Sequence, residues 1–138
     1  MKVLWSLILV TAIQAGAPSP VQIVSRESMS MVEEPMQVVA RTAPEWASLW
    51  RRHAGGKPLP AVELGSRTVI AVFLGTRGSA GYSVEITTLR EANGALIVEW
   101  QERRPEPGDV AAQVLTSPAI IATIPKFSGE IKFEQARR

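Results

Sequence analysis

The stretch that most constrains this chain is residues 68–74, TVIAVFL, which are almost continuously apolar and β-favouring. A strand with one wet face alternates apolar with polar side chains, so an unbroken run has to be covered on both faces. Any fold available to the chain must therefore place a layer on each side of this one strand. Directly after it, Gly75, Gly78 and Gly81 punctuate Thr76, Arg77, Ser79 and Ala80, and a second β-rich run begins at Tyr82. Glycine lets the backbone take positive φ or pass close to a neighbour. The reading is a buried strand, an exposed glycine-articulated loop and a returning strand.

One helix stands out. Thr42 can cap it, Glu45 three residues later can complete a capping box, and Pro44 sits in the first turn, where its missing N–H costs little. Trp46, Leu49, Trp50 and His53 fall at i, i+3, i+4 and i+7 and so share a face, and Gly55-Gly56 ends the element. A helix of about three turns holds only by laying that face on a sheet. Trp46, Leu49 and Trp50 are therefore expected in the core, with carbohydrate stacking by the two indoles as the lesser reading.

After the glycine loop comes a hairpin. Ile86 alternates with Val84 and Thr88 on one strand, and Leu96, Val98 and Trp100 alternate on the return. A two-residue Asn93-Gly94 turn would pair Leu89 with Val98 and Thr87 with Trp100, setting the two apolar faces on opposite sides of the sheet. A loop of Ala92, Asn93 and Gly94 pairs Thr88 with Val98 and Ile86 with Trp100, so that the faces agree. That predicts a type I turn with a G1 bulge at Gly94, and a core that includes Ile86, Val98 and Trp100.

Residues 21–24, 36–41, 113–116, 119–124 and 130–134 read as further strands, whereas 103–109 holds Pro105 and Pro107 and reads as a loop. The expected fold class is α+β: a mainly antiparallel β-sheet of about seven strands with one short helix packed on a face.

Residues 1–17 read as a signal peptide. Lys2 is a positive n-region, residues 3–13 form a short apolar h-region, and cleavage is expected after Ala15 or Ala17. Residues 18–138 then form a single β-rich domain, secreted or periplasmic by bacterial-type export. With no cysteine there is no lipobox anchor, no disulfide, no thiolate metal site and no Cys nucleophile. No membrane anchor is expected after signal cleavage.

The formal charge of +2 comes from scattered basic residues, whereas nucleic-acid binding wants a basic stripe with interleaved aromatics. No nucleic-acid partner is expected. Glu33-Glu34 reads as a solvated turn. The G-x-x-G-x-x-G spacing leads into a strand instead of opening a helix, and lacks the Lys-Ser/Thr of a P-loop, so it is not a phosphate cradle. Ser79 lacks the nucleophile-elbow context. A small hydrolase would have to recruit Ser79 together with His53 and Asp109, the only histidine and the only aspartate in the chain. His53, in the last helical turn, reads as structural. No catalytic residue, metal or cofactor is expected. What survives is a loop mounted on a rigid sheet, a common way to present a binding surface. Its candidate residues are Gly75, Thr76, Arg77, Gly78, Ser79, Gly81 and Tyr82, beside the second loop at 103–109.

The ordered set EWASLW at 45–50, PAVEL at 60–64, VIAVFLGTRGSAGYSVEI at 69–86, PEPGD at 105–109 and LTSPAIIATIP at 115–125 resembles the PrcB C-terminal domain family. The most specific part is G-x-R-x-x-x-G-Y, here Gly75, Arg77, Gly81 and Tyr82. The chain departs from the family's usual pattern at Ala80, at Glu63-Leu64 and at Ala119. The resemblance implies a non-catalytic exported protein-binding module, an accessory or stabilising protein of a secreted protease complex. The runner-up is a protease inhibitor that inserts residues 75–82 into an active-site cleft.

Overall fold

In the computed structural model, residues 20–136 are described, and the expected signal peptide at 1–17 lies outside them. The elements run β1 (Gln22–Glu27), β2 (Met36–Ala40), α1 (Ala43–Ala54), β3 (Arg67–Phe73), β4 (Ser83–Ala92), β5 (Ala95–Arg103), β6 (Ala119–Pro125) and β7 (Ile131–Gln135). They form one sheet in the order β1-β6-β3-β2 and a second in the order β4-β5-β7. All neighbours are antiparallel except β5 and β7, which run parallel. The fold is α+β, with seven strands and one short helix among the described residues.

The two-sided cover demanded by residues 68–74 comes from two different layers. Val69, Ala71 and Phe73 of β3 pack with Trp46, Leu49 and Trp50 of α1. The alternate residues Ile70 and Val72 pack with Leu96, Val98 and Trp100 of β5. The adjoining strand β6 does the same, with Ile121 towards the helix and Ile120, Ala122 and Ile124 towards the second sheet. The result is helix, sheet, sheet, with the two central strands dry on both faces.

The helix begins as its sequence demands. Thr42 Oγ1 accepts from the Glu45 N–H at 3.3 Å, and Glu45 Oε1 accepts from the Thr42 N–H at 3.2 Å. Gly55 closes the other end at φ 64°, its N–H bonded to the Arg51 carbonyl. The apolar stripe of Trp46, Leu49, Trp50 and His53 is buried. The proline-bearing segment after α1 turns back beneath it, where the Lys57 and Pro60 carbonyls accept the Trp50 and Trp46 indole N–H groups, each at 3.0 Å.

The hairpin corrects the expected turn. Ala92 pairs with Ala95, leaving Asn93 (φ 54°) and Gly94 (φ 82°) as a two-residue turn of the type I′ kind. Leu89 therefore pairs with Val98, not Thr88 as expected. The apolar faces still agree, because a bulge between Ile86 and Thr88 shifts the register by one and restores the Ile86–Trp100 pair. The extra residue sits in mid-strand at Thr87 instead of at the turn. Asn tolerates positive φ, so Asn93-Gly94 takes the tighter connection, which matches strand twist better.

Residues 113–116 form no strand. Their only ladder contact is an isolated bridge from Thr116 to Arg77. Val114 and Leu115 stand largely in solvent. A β-favouring Val114-Leu115 pair without a sheet edge to receive it leaves this segment lying against the glycine loop.

Candidate partner-binding loop

The loop at 75–82 is held at both ends by glycines that cannot be anything else. Gly75 has φ 82°, and a Cβ there would meet Pro35 Cδ at 2.8 Å and Pro35 N at 2.9 Å. Gly81 has φ 99°, and a Cβ there would meet Pro105 Cγ at 2.8 Å. One glycine thus packs against the entry to β2 and the other against the proline-bearing loop that follows β5. Gly78 between them is exposed, and a Cβ there meets no heavy atom within 4 Å.

Arg77 is the internal brace. Its Nε donates to Glu102 Oε2 at 2.8 Å and its Nη2 to Glu102 Oε1 at 3.2 Å, a bidentate pair. Its Nη1 donates to the carbonyls of Leu74 and Thr76 at 3.0 and 3.1 Å. The Tyr82 ring lies beside the guanidinium, with its centroid 5.8 Å from Cζ. The backbone is clamped as well. Arg77 exchanges two backbone bonds with Thr116, the Ala80 N–H reaches the Ala112 carbonyl, and Thr116 Oγ1 donates to the Ser79 carbonyl at 3.0 Å.

Thr76, Gly78 and Gly81 are exposed, Arg77, Ser79 and Tyr82 are half-buried, and Gly75 is buried. The contact surface that the loop can offer is thus its tip, while Arg77 and Gly75 are committed to holding it. Between Ala80, Gly81 and Ser83 on one side and Arg104, Pro105 and Val110 on the other runs an open cleft of about 470 Å³. Val110, Val114 and Leu115 add exposed apolar surface on the segment that clamps the loop.

Glu102 was not legible as Arg77's partner, although β5 carried a signal. Leu96, Val98, Trp100 and Glu102 share one strand face, and a carboxylate on an apolar face needs a cation. Glu102 is 8% exposed. The Arg77 hydrogen bonds hold its carboxyl below the ordinary value of 4.5, against the opposing effect of burial. A carboxyl depressed in the folded state contributes stability that is present above its unfolded value and is lost as pH falls through the folded one. The urea midpoint of the protein is therefore expected to begin falling below about pH 4.5, and Glu102→Gln to fall less steeply there. Equal slopes for the two proteins would mean that the pair does not carry this acid sensitivity.

The hydrolase set does not assemble. His53 Nδ1 lies 2.8 Å from Ser30 Oγ and Nε2 lies 3.2 Å from Ser25 Oγ. Ser79 Oγ donates to the Ala80 carbonyl, and Asp109 Oδ2 accepts from the Glu106 N–H. Ser79, His53 and Asp109 share no hydrogen bond. Among the sequence-expected core residues, Trp46, Leu49, Trp50, Val98 and Trp100 are buried, and Ile86 is half-buried between the two sheets. Glu33 and Glu34 are exposed. Among the described residues, no helix is long and apolar enough to cross a membrane.

Neither a curated protein nor a solved structure matches the chain. Residues 68–125, from the second residue of β3 to the last of β6 with the glycine loop between them, match the family model described as PrcB C-terminal, so this segment bears out the resemblance drawn from its sequence.

Proposed function

We propose that the protein is a non-catalytic exported protein-binding module, an accessory or stabilising partner of a secreted protease, and that the tip of residues 75–82 is its contact surface. The observation that carries this reading is the bracing of that loop. Two positive-φ glycines wedged on prolines, a bidentate Arg77–Glu102 pair and a backbone clamp at Thr116 hold an otherwise exposed tip in one conformation. A surface ordered before binding loses less entropy on association, which favours affinity. The match to the PrcB C-terminal family over 68–125 supports a protease as the class of partner.

The test is a pull-down from the host's secreted proteins with residues 18–138 as bait. The expected result is that a protease co-purifies, survives longer with the module than without it, and keeps its turnover rate. A protease that is captured but blocked would favour the inhibitor instead. Hydrolysis of ester or peptide substrates by the purified module, lost on Ser79→Ala, would replace both readings with an enzyme.

A further inference from the structure

Beyond β1 the chain runs through Ser28, Met29, Ser30 and Met31, bending at Ser28 and Met31, across the C-terminal end of α1. It is fixed there by backbone bonds from the Ser117 N–H to the Ser28 carbonyl, from Ser30 to Ser117 and from Met31 to the His53 carbonyl, all near 2.9–3.0 Å. Ser30 is buried, whereas Met29 and Met31 are 63% and 64% exposed. Both thioethers are open to water. Both line a pocket of about 90 Å³ that also has His53 and Trp50 in its wall. Met31 lies directly over the helix end, its sulfur 3.1 Å from where a Cβ on Gly55 would stand.

We propose that Met29, Met31 and His53 form a binding site for a soft monovalent cation, Cu(I), for which Ag(I) is a redox-inert substitute. Thioether donors select Cu(I) over hard and borderline divalent ions, and imidazole is compatible with it. Among the described residues no group of three His, Cys, Asp or Glu side chains could hold a metal ion, so divalent cations have no competing cage. Glu27 and Lys57, which also border the pocket, carry opposite charges. Two thioethers and a neutral imidazole bring no negative charge, a donor set that suits a soft monovalent cation better than a hard divalent one.

The histidine is set for this role. Ser30 Oγ accepts the Val32 N–H at 3.0 Å and sits 2.8 Å from Nδ1. A serine hydroxyl can accept as well as donate, so Nδ1–H can rest on Ser30 and leave the Nε2 lone pair for the metal. For Nε2 to reach the metal, the longer Ser25 contact at 3.2 Å has to open. Ser30 is a positioning residue.

The test titrates the full mature chain with Cu(I) under ascorbate against a chromophoric Cu(I) chelator. Ag(I) titrations are followed in parallel by Trp fluorescence and methionine-methyl NMR. One equivalent should bind with Kd below about 1 µM, shifting two methionine methyl signals and quenching tryptophan emission. The double variant Met29→Leu/Met31→Leu conserves volume at two exposed positions, so it stays folded by circular dichroism. It should bind at least about 10-fold more weakly, and Ser30→Ala should show a smaller loss in the same direction. Equal binding by wild type and the double variant would overturn the assignment. So would an absence of binding in the micromolar range, or Zn(II) binding as tight as Cu(I). None of these readouts involves a protease, so the result is independent of the accessory-module reading.

Discussion

Replacing Trp46 with alanine is expected to lower the unfolding free energy by about 3–5 kcal/mol, against a total of about 5–15 kcal/mol for a domain of ordinary stability. The reason is positional. Trp46 is 3% exposed, lies tilted against Trp50 with ring centroids 5.7 Å apart, and packs on the face of β3 that carries Val69, Ala71 and Phe73. Among the described residues no other helix covers that face, with Val32, Val62 and Leu64 filling in beside it, and a helix this short does not persist without it. Urea denaturation should show a lower midpoint with an unchanged slope. Trp46→Phe separates the two contributions of the indole. It keeps most of the apolar area but leaves the Pro60 carbonyl without its donor, so the expected loss is about 1–3 kcal/mol. If the alanine variant lost less than about 1 kcal/mol, the helix would not be what seals the first sheet.

The same dependence explains what could be read from the residues. The capping box at Thr42 and Glu45, the stripe ending at His53 and the closing Gly55 are local signals, each fixed by groups within one or two turns. The burial of β3 was legible because a continuous apolar run admits only one environment. The hairpin register was half legible. The requirement that both apolar faces agree was met, but the chain meets it with a mid-strand bulge at Thr87 and not with a looser turn. Face agreement counts one extra residue without saying where it sits. Residues 113–116 are strand-like in composition, yet pairing is decided by whether a partner edge arrives, and only the Arg77 bridge does. In the loop, the glycines were visible, but their assignments were not. That Gly75 and Gly81 are wedged on Pro35 and Pro105 while Gly78 stands free depends on contacts 24 to 40 residues away in sequence. His53 met its hydroxyl partners the same way, since Ser25 and Ser30 reach it only through the pairing of β1 with β6 and of residue 29 with 117.

Those different environments make the three glycines separable by experiment. Gly75→Ala is expected to destabilise the protein by about 2–5 kcal/mol. About 1–3 of that comes from holding an L-residue at φ 82°, and a comparable amount from a Cβ pressed to within 2.8–2.9 Å of the Pro35 ring and nitrogen. The backbone nitrogen of Pro35 cannot swing aside as a flexible side chain would, so relief requires the entry to β2 to move. Gly78→Ala is the opposite case. Its backbone is not in the positive-φ region and open space surrounds the new methyl, so stability should be unchanged or raised by up to about 1 kcal/mol through a less flexible unfolded chain. The contrast carries over to function. Because Gly78 bears no part of the fold, Gly78→Glu places a charge and a side chain at the exposed tip without disturbing its supports. Capture of the partner protease by this variant should weaken by more than about 10-fold, or 1.4 kcal/mol, while its urea midpoint stays at the wild-type value. A Gly78→Glu protein that remains folded and still binds its protease at full strength would move the contact surface off this loop, whatever Gly75→Ala does to stability.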